Sequence, residues 1–363
     1  MNGILTKSLE SSGVQPSSIE IDGRGEIISV AFLVDGKHVV STSVEGQIRR
    51  WRVEDGMEVG GTPIGAGKWV CNTAVSRNGK WIVSGTGRGQ VQVWNVDDSQ
   101  KVTEFKGHHG YVRAVDVSPD STKIASGSDD KTACVWSLST GQRLLGPWKH
   151  DDLVYTAKFS LDGRFIATAT QTVFRIYDGR DGSLVVNVPI RVAFSHNHSL
   201  AWSSNSKQLF AVSFGKIICL DASTGATLSQ WSIHGDEYNR IALASDGAFI
   251  AASSRSSVSF WDATTHEQIG SVIQHTGIVS CMAISANYDI AIGGGGRITL
   301  GGLCNIFPSL YRDTGVRLNQ EPDLVLNEQR RREDSLNALC TKDERLGPSI
   351  HCPTPHVLAY LIH

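Results

Sequence analysis

Residues 107–141 read GHHGYVRAVDVSPDSTKIASGSDDKTACVWSLSTG, and this stretch decides the fold. YVRAVDVS alternates apolar and polar side chains, Asp120-Ser121 interrupts the run, and KIASGS resumes it. Two alternating runs around a short Asp- or Asn-led turn form a β-hairpin. The same device recurs along the chain as Asp35-Gly36, Asn78-Gly79, Asp162-Gly163, Asn205-Ser206, Asp246-Gly247 and a weaker Asn287-Tyr288. From Asp35 onward, the first residues of these turns are spaced by 43, 42, 42, 43, 41 and 41 positions. A second landmark follows each turn: Trp51, Trp94, Trp136, Tyr177, Leu220, Trp261 and Gly301, spaced by 43, 42, 41, 43, 41 and 40. Two marks in step, at a period of about 40–45 residues with several strands per unit, specify propeller blades. One small sheet cannot bury both its faces alone, whereas seven arranged radially can.

The 107–141 stretch closely resembles the WD-repeat pattern of Gly-His, then Ser-Pro-Asp, then Ser-Gly-Ser-Asp-Asp, then Trp. The other units resemble it with decay, over roughly residues 18–305. The resemblance implies an all-β fold, a seven-bladed β-propeller of four-stranded antiparallel blades. It also implies a buried hydrogen-bonded network of His108, Ser126, Asp130 and Trp136 in the third unit. His150, His234 and His275 align with His108, and Ser41 and Ser84 with Ser126. Glu45, Arg88, Gln171 and Arg255 stand in place of Asp130, so only the third unit keeps the full set. SIEIDG, Ser18 to Gly23, resembles the outer strand that precedes a Gly-His, and the seventh unit has only three strands of its own. An N-terminal strand is therefore expected to close the ring and remove an exposed sheet edge. The expected organisation is a mobile leader over 1–17, the propeller over 18–305, and a helical or disordered C-terminal tail over 306–363. WD arrays of this type also occur in fungal incompatibility-type receptors.

Composition narrows the functional classes. A net charge of −2 gives no excess of Lys and Arg for a nucleic-acid surface. No apolar run is long enough for a membrane span or a signal peptide. The seven cysteines form no C-x-x-C pair and most lie in apolar runs, as expected of reduced thiols in a reducing compartment. The expected location is the cytoplasm, with the nucleus as the alternative. Arg330 to Arg332 reads as a solvated helix face ahead of a localisation signal.

Motifs that could carry chemistry read better as structure. Histidines one repeat apart point into different blades. His196 and His198 share one strand face and form the one weak metal candidate. GAGKW, Gly65 to Trp69, lacks the first glycine of a phosphate loop, where Thr62 stands, and Trp69 replaces the Ser or Thr that would hold magnesium. No G-x-S-x-G elbow occurs. Channel-facing positions look apolar or small. No catalytic residue, metal or cofactor is expected.

In the WD-repeat family one propeller face commonly binds peptides or domains. The resemblance places three outward positions per blade on it. Two flank the first inward residue of strand one, and the third precedes the structural Asp. Trp69, Tyr111, Arg113, Leu153 and Tyr155 fall at such positions on three consecutive blades, rimmed by Asp129. Trp, Tyr and Arg dominate binding hot spots. The expected function is a non-catalytic scaffold binding a peptide or protein there. The alternatives are a ligand-sensing part of a larger signalling or surveillance assembly and, for these aromatics, a purely structural role covering the channel mouth.

Overall fold

A computed structural model describes residues 18–60, 63–66, 69–190, 199–233 and 240–303. The expected leader and tail, His196, His198 and His234 lie outside the described residues.

The described chain forms seven four-stranded antiparallel sheets, each consecutive in sequence except the last. In blade 3 the strands are Val112–Val117, Lys123–Ser128, Thr132–Ser137 and Arg143–Lys149, from the innermost outward. Blade 7 takes three strands from 281–302 and its fourth from the N-terminus. Ser18–Asp22 pairs antiparallel with Arg297–Gly302, from Ser18 opposite Gly301 to Asp22 opposite Arg297. The ring therefore closes as the sequence predicts.

The repeated turns are built by their own side chains. The Asp35 carboxylate accepts the Lys37 amide at 2.8 Å, Asn78 accepts Lys80 at 3.0 Å, and Asp162 accepts Arg164 at 3.0 Å. Asx side chains stabilise turns in this way. The next residue takes a positive φ, 72° at Gly163, which glycine adopts without a Cβ clash. Ser121, Ser206 and Tyr288 accept the same conformation at φ of 59°, 58° and 61°. These are the repeats whose turn lacks glycine.

The core lies between blades rather than within one. Seven clusters of buried apolar side chains each join two neighbouring sheets. One joins blade 3 to blade 4 through Val135 and Ile166, and another joins blade 7 to blade 1 through Ile298 and Val39. Blades thus share their hydrophobic burial with both neighbours, and no blade is an independent folding unit. Outer strands such as Lys101–Lys106 are mostly exposed, while second strands such as Lys123–Ser128 are almost wholly buried.

Candidate functional site

Antiparallel order puts two kinds of segment on one face of the ring. These are the loops entering each first strand and the turns joining second to third strands. On blades 2 to 4 this face brings the sequence-predicted residues together. The Trp69 carbonyl accepts the Gly87 amide at 2.6 Å, and the Tyr111 carbonyl accepts the Asp129 amide at 2.9 Å. A Cβ on Gly87 would stand 2.7 Å from Cβ of Trp69 and 3.3 Å from the Tyr111 ring. Only glycine lets both aromatics close over the turn. Trp69 is 56 % exposed and Tyr111 40 %. Trp69 also has φ of 66°, a sparsely populated conformation for a bulky residue, and such outliers cluster at functional sites.

Beside them runs a polar chain. Asp129 binds Arg113 in a two-pronged ion pair, with Arg113 Nη2 donating to Oδ2 at 2.7 Å. The Arg113 guanidinium lies over the Tyr155 ring, 5.4 Å from its centroid. Gln171 Nε2 donates to the Tyr155 hydroxyl at 3.0 Å. Burial works against the Arg113 charge, but the Asp129 carboxylate outweighs it and holds the guanidinium above its ordinary pKa. Bidentate pairs and cation–π contacts fix side-chain orientation as well as adding energy. Leu153 sits half-buried at the blade 4 edge, its amide donating to Asp152 at 2.7 Å.

The four residues named for the structural network also meet. Trp136 Nε1 donates to Ser126 Oγ at 2.7 Å, His108 Nε2 lies 2.7 Å from the same oxygen, and His108 Nδ1 lies 2.9 Å from Asp130 Oδ2. The arrangement is satisfied when Trp136 donates to Ser126, Ser126 to His108, and His108 to Asp130. Asp130 further accepts the His109 and Thr132 amides, both at 2.9 Å. It therefore ties the loop leading to Tyr111 to the turn carrying Asp129. Burial alone would raise the Asp130 pKa, but hydrogen bonds from His108 and Thr132 hold it far below the usual carboxylate range.

Other blades depart from this scheme. Trp51 and Trp94 donate to Ser41 and Ser84 at 2.7 and 3.2 Å, whereas Trp261 donates to Ser259 at 2.8 Å. His275 contacts Thr299 and the Gly294 carbonyl instead of a carboxylate. In blades 5 and 6 the residues at the Asp129 position, Ser213 and Ser254, are strand residues opposite Lys216 and Ser257. The turns beyond them have only two residues, Phe214-Gly215 and Arg255-Ser256, so the projecting residue is Phe214 or Arg255. Phe214 is 39 % exposed with φ of 33°. An aromatic directly before glycine in a two-residue turn was the signal for it.

The inner strands are more polar than the sequence reading expects. Asp116 and Lys158 lie on them, and Arg240 directly precedes the inner strand Ile241–Leu243. Asp116 accepts the Phe159 amide of the next blade at 2.9 Å, Lys158 donates to the Leu200 carbonyl at 3.0 Å, and Arg240 donates to the Ser280 carbonyl. Each polar group reaches the backbone of the following blade, so these side chains tie neighbouring blades together. Burial pushes the Asp116 carboxyl up to about 6, opposed by the Lys158 charge. Burial likewise pushes the Cys71 and Cys134 thiols up to about 11 and Cys281 to about 12, so they stay protonated near neutrality. Among the described residues no group of three or more His, Cys, Asp or Glu could hold a metal ion, and no helix is long and apolar enough to cross a membrane.

Comparison with known proteins agrees with this architecture. Residues 61–95 and 99–137 match the family model "WD domain, G-beta repeat". The chain is 26 % identical over 194 residues to human kinesin-like protein KIF21A, covering 52 % of this chain and 10 % of that protein. It is 32 % identical over 111 residues to small ribosomal subunit protein RACK1z of Oryza sativa subsp. japonica, 29 % of this chain and 33 % of the relative. It is 27 % identical over 210 residues to human eukaryotic translation initiation factor 3 subunit I, 54 % of this chain and 64 % of the relative. The chain thus spans between a tenth and just under two thirds of these relatives. By its seven four-stranded blades the described chain is a β-propeller, and two of its repeats match the WD-domain model.

Proposed function

We propose that this propeller is a non-catalytic scaffold that binds a peptide or protein segment on the face over blades 2 to 4. The carrying observation is the pair of exposed aromatics, Trp69 and Tyr111, seated on hydrogen-bonded turns beside the fixed Arg113–Asp129–Tyr155 group. Aromatic side chains bury large areas at low entropic cost, and rigid presentation lowers the cost of binding. The WD-repeat fold is generally non-catalytic, and the relatives support an interaction role. One is named a small ribosomal subunit protein and another a translation initiation factor subunit.

A second reading is a sensing module within a larger assembly, as in the fungal WD arrays. The match to a tenth of a kinesin-like protein favours it, because there the matched region is a small part of a long chain.

The test compares affinity capture by the wild-type chain and a Trp69→Ala/Tyr111→Ala variant, with folding of both verified by circular dichroism. Quantitative mass spectrometry should show specific partners depleted with the variant. Equal capture by both would remove this face as the binding site.

A further inference from the structure

The acids and bases around the aromatic pair are not balanced. In blade 3, Asp129 is taken by Arg113, and Asp130 by His108, Thr132 and the His109 amide. On the outer strand of blade 2, Glu104 is held by Lys101, Gln90 and Gln92. Arg88 is different. It follows Gly87 at the tip of the turn on which Trp69 and Tyr111 close, and it is exposed. Its backbone is fixed, since the Thr86 hydroxyl oxygen accepts the Arg88 amide at 3.4 Å and the Gln90 amide at 3.3 Å. Among the described residues its guanidinium has no acidic partner. Lys131, also exposed, donates to the Asp151 backbone carbonyl. The carboxylates of Asp151 and Asp152 begin only at the blade 4 side. Arg88 is therefore a positive charge beside the aromatic patch with no acidic partner among the described residues, whereas Lys131 lies against Asp151.

We propose that the partner segment is acidic, placing an apolar side chain against Trp69 and Tyr111 and a carboxylate against Arg88. This rests on the scaffold reading and names the chemistry of what the scaffold takes. Arg binds carboxylates through a planar fork of donors, and complementary charge selects partners even where it adds little affinity. The sequence hides this feature. Arg88 aligns with a structural Asp and reads as a lost network member, whereas its side chain projects from the binding face.

The test uses two fluorescein-labelled degenerate heptapeptide pools, each with a fixed central Leu, one flanked by Glu and the other by Lys. Binding to the purified full chain is read by fluorescence anisotropy at low salt, and thermal unfolding confirms that each variant is folded. The wild type should bind the Glu pool about tenfold more tightly than the Lys pool. Arg88→Gln should erase that preference and Arg88→Glu reverse it. Equal binding of both pools, abolished by Trp69→Ala/Tyr111→Ala, would overturn the acidic assignment and leave the scaffold face standing. No binding of either pool, or binding that ignores the aromatic substitutions, would overturn the face and the acidic assignment together.

Discussion

Blades 3 and 4 are neighbours with the same architecture and opposite treatment of one buried histidine. In blade 3 both ring nitrogens of His108 have partners, Ser126 and Asp130. In blade 4, His150 Nε2 reaches only Thr168 at 3.4 Å and Tyr177 at 3.5 Å, and its Nδ1 is buried without a hydrogen-bond partner among the described residues. Burial, aided by the Arg175 charge, pushes the His150 pKa down to about 4, so the ring stays neutral. Blade 4 nevertheless forms all four strands and shares an apolar cluster with each neighbour. Trp148 stacks on Tyr177 with centroids 4.2 Å apart. The polar network therefore adds to a fold that shared packing already specifies. What blade 4 gave up at the Asp130 position it uses elsewhere, because Gln171 holds the Tyr155 hydroxyl on the candidate face.

Removing the hydroxyl at the centre of each set should separate the two blades most. Ser126→Ala leaves both His108 and Trp136 short of a partner and should cost about 2–4 kcal/mol in urea unfolding. Thr168→Ala removes a long contact to His150 and a hydrogen bond to Tyr177, which Arg175 also contacts, and should cost about 1 kcal/mol. Equal losses would mean that the blade 3 network carries no special weight.

A smaller effect should appear with pH. An unfolded histidine takes a proton below its ordinary value of 6.5, whereas folded His150 resists until about 4. The unfolded state binds more protons in that window, so His150 removes stability as pH falls from 6.5 towards 4. Asp116 acts oppositely, since its folded value of about 6 lies above the ordinary 3.8 and protonation relieves its burial. The depressed Asp130 contributes stability above its ordinary 3.8, lost only as pH falls further. Comparing wild type with His150→Asn cancels the two carboxylates. The variant should lose less melting temperature between pH 7 and pH 5 than the wild type does, and parallel losses would refute the assignment.

The smallest effect on stability should come from Gln171→Leu, within about 1 kcal/mol in the same unfolding assay. Partner capture should nevertheless fall several-fold, because the Tyr155 ring beneath Arg113 loses its anchor. A large stability loss with unchanged capture would make Gln171 a structural residue only.

The fold was legible because its signals are local. Asx turns and alternating strands act within a few residues, and their repetition counts the blades. Ring closure was legible too, since the 18–23 stretch matches an outer strand that blade 7 lacks. The set on blades 2 to 4 could be named because each member holds a fixed place in a well-formed repeat. Its wiring could not. Gln171 and Arg88 both align with Asp130, yet one turns to a neighbouring tyrosine and the other outward, as three-dimensional neighbours dictate. Phe214 escaped because blade 5 joins its second and third strands by a two-residue turn, which moves the residue projecting from that turn by one. The charged inner-strand residues escaped because their partners lie about one repeat away, as Asp116 and Phe159 do.

In the proposed function blades 2 to 4 present a binding face. Hydrogen–deuterium exchange of the propeller, alone and with a captured partner, tests it most directly. New protection is expected at residues 69–71, 86–90, 111–113 and 153–155, with the outer strands unchanged. Protection confined to the outer strands, or to the turns on the opposite face around Asp120 and Asp162, would contradict it.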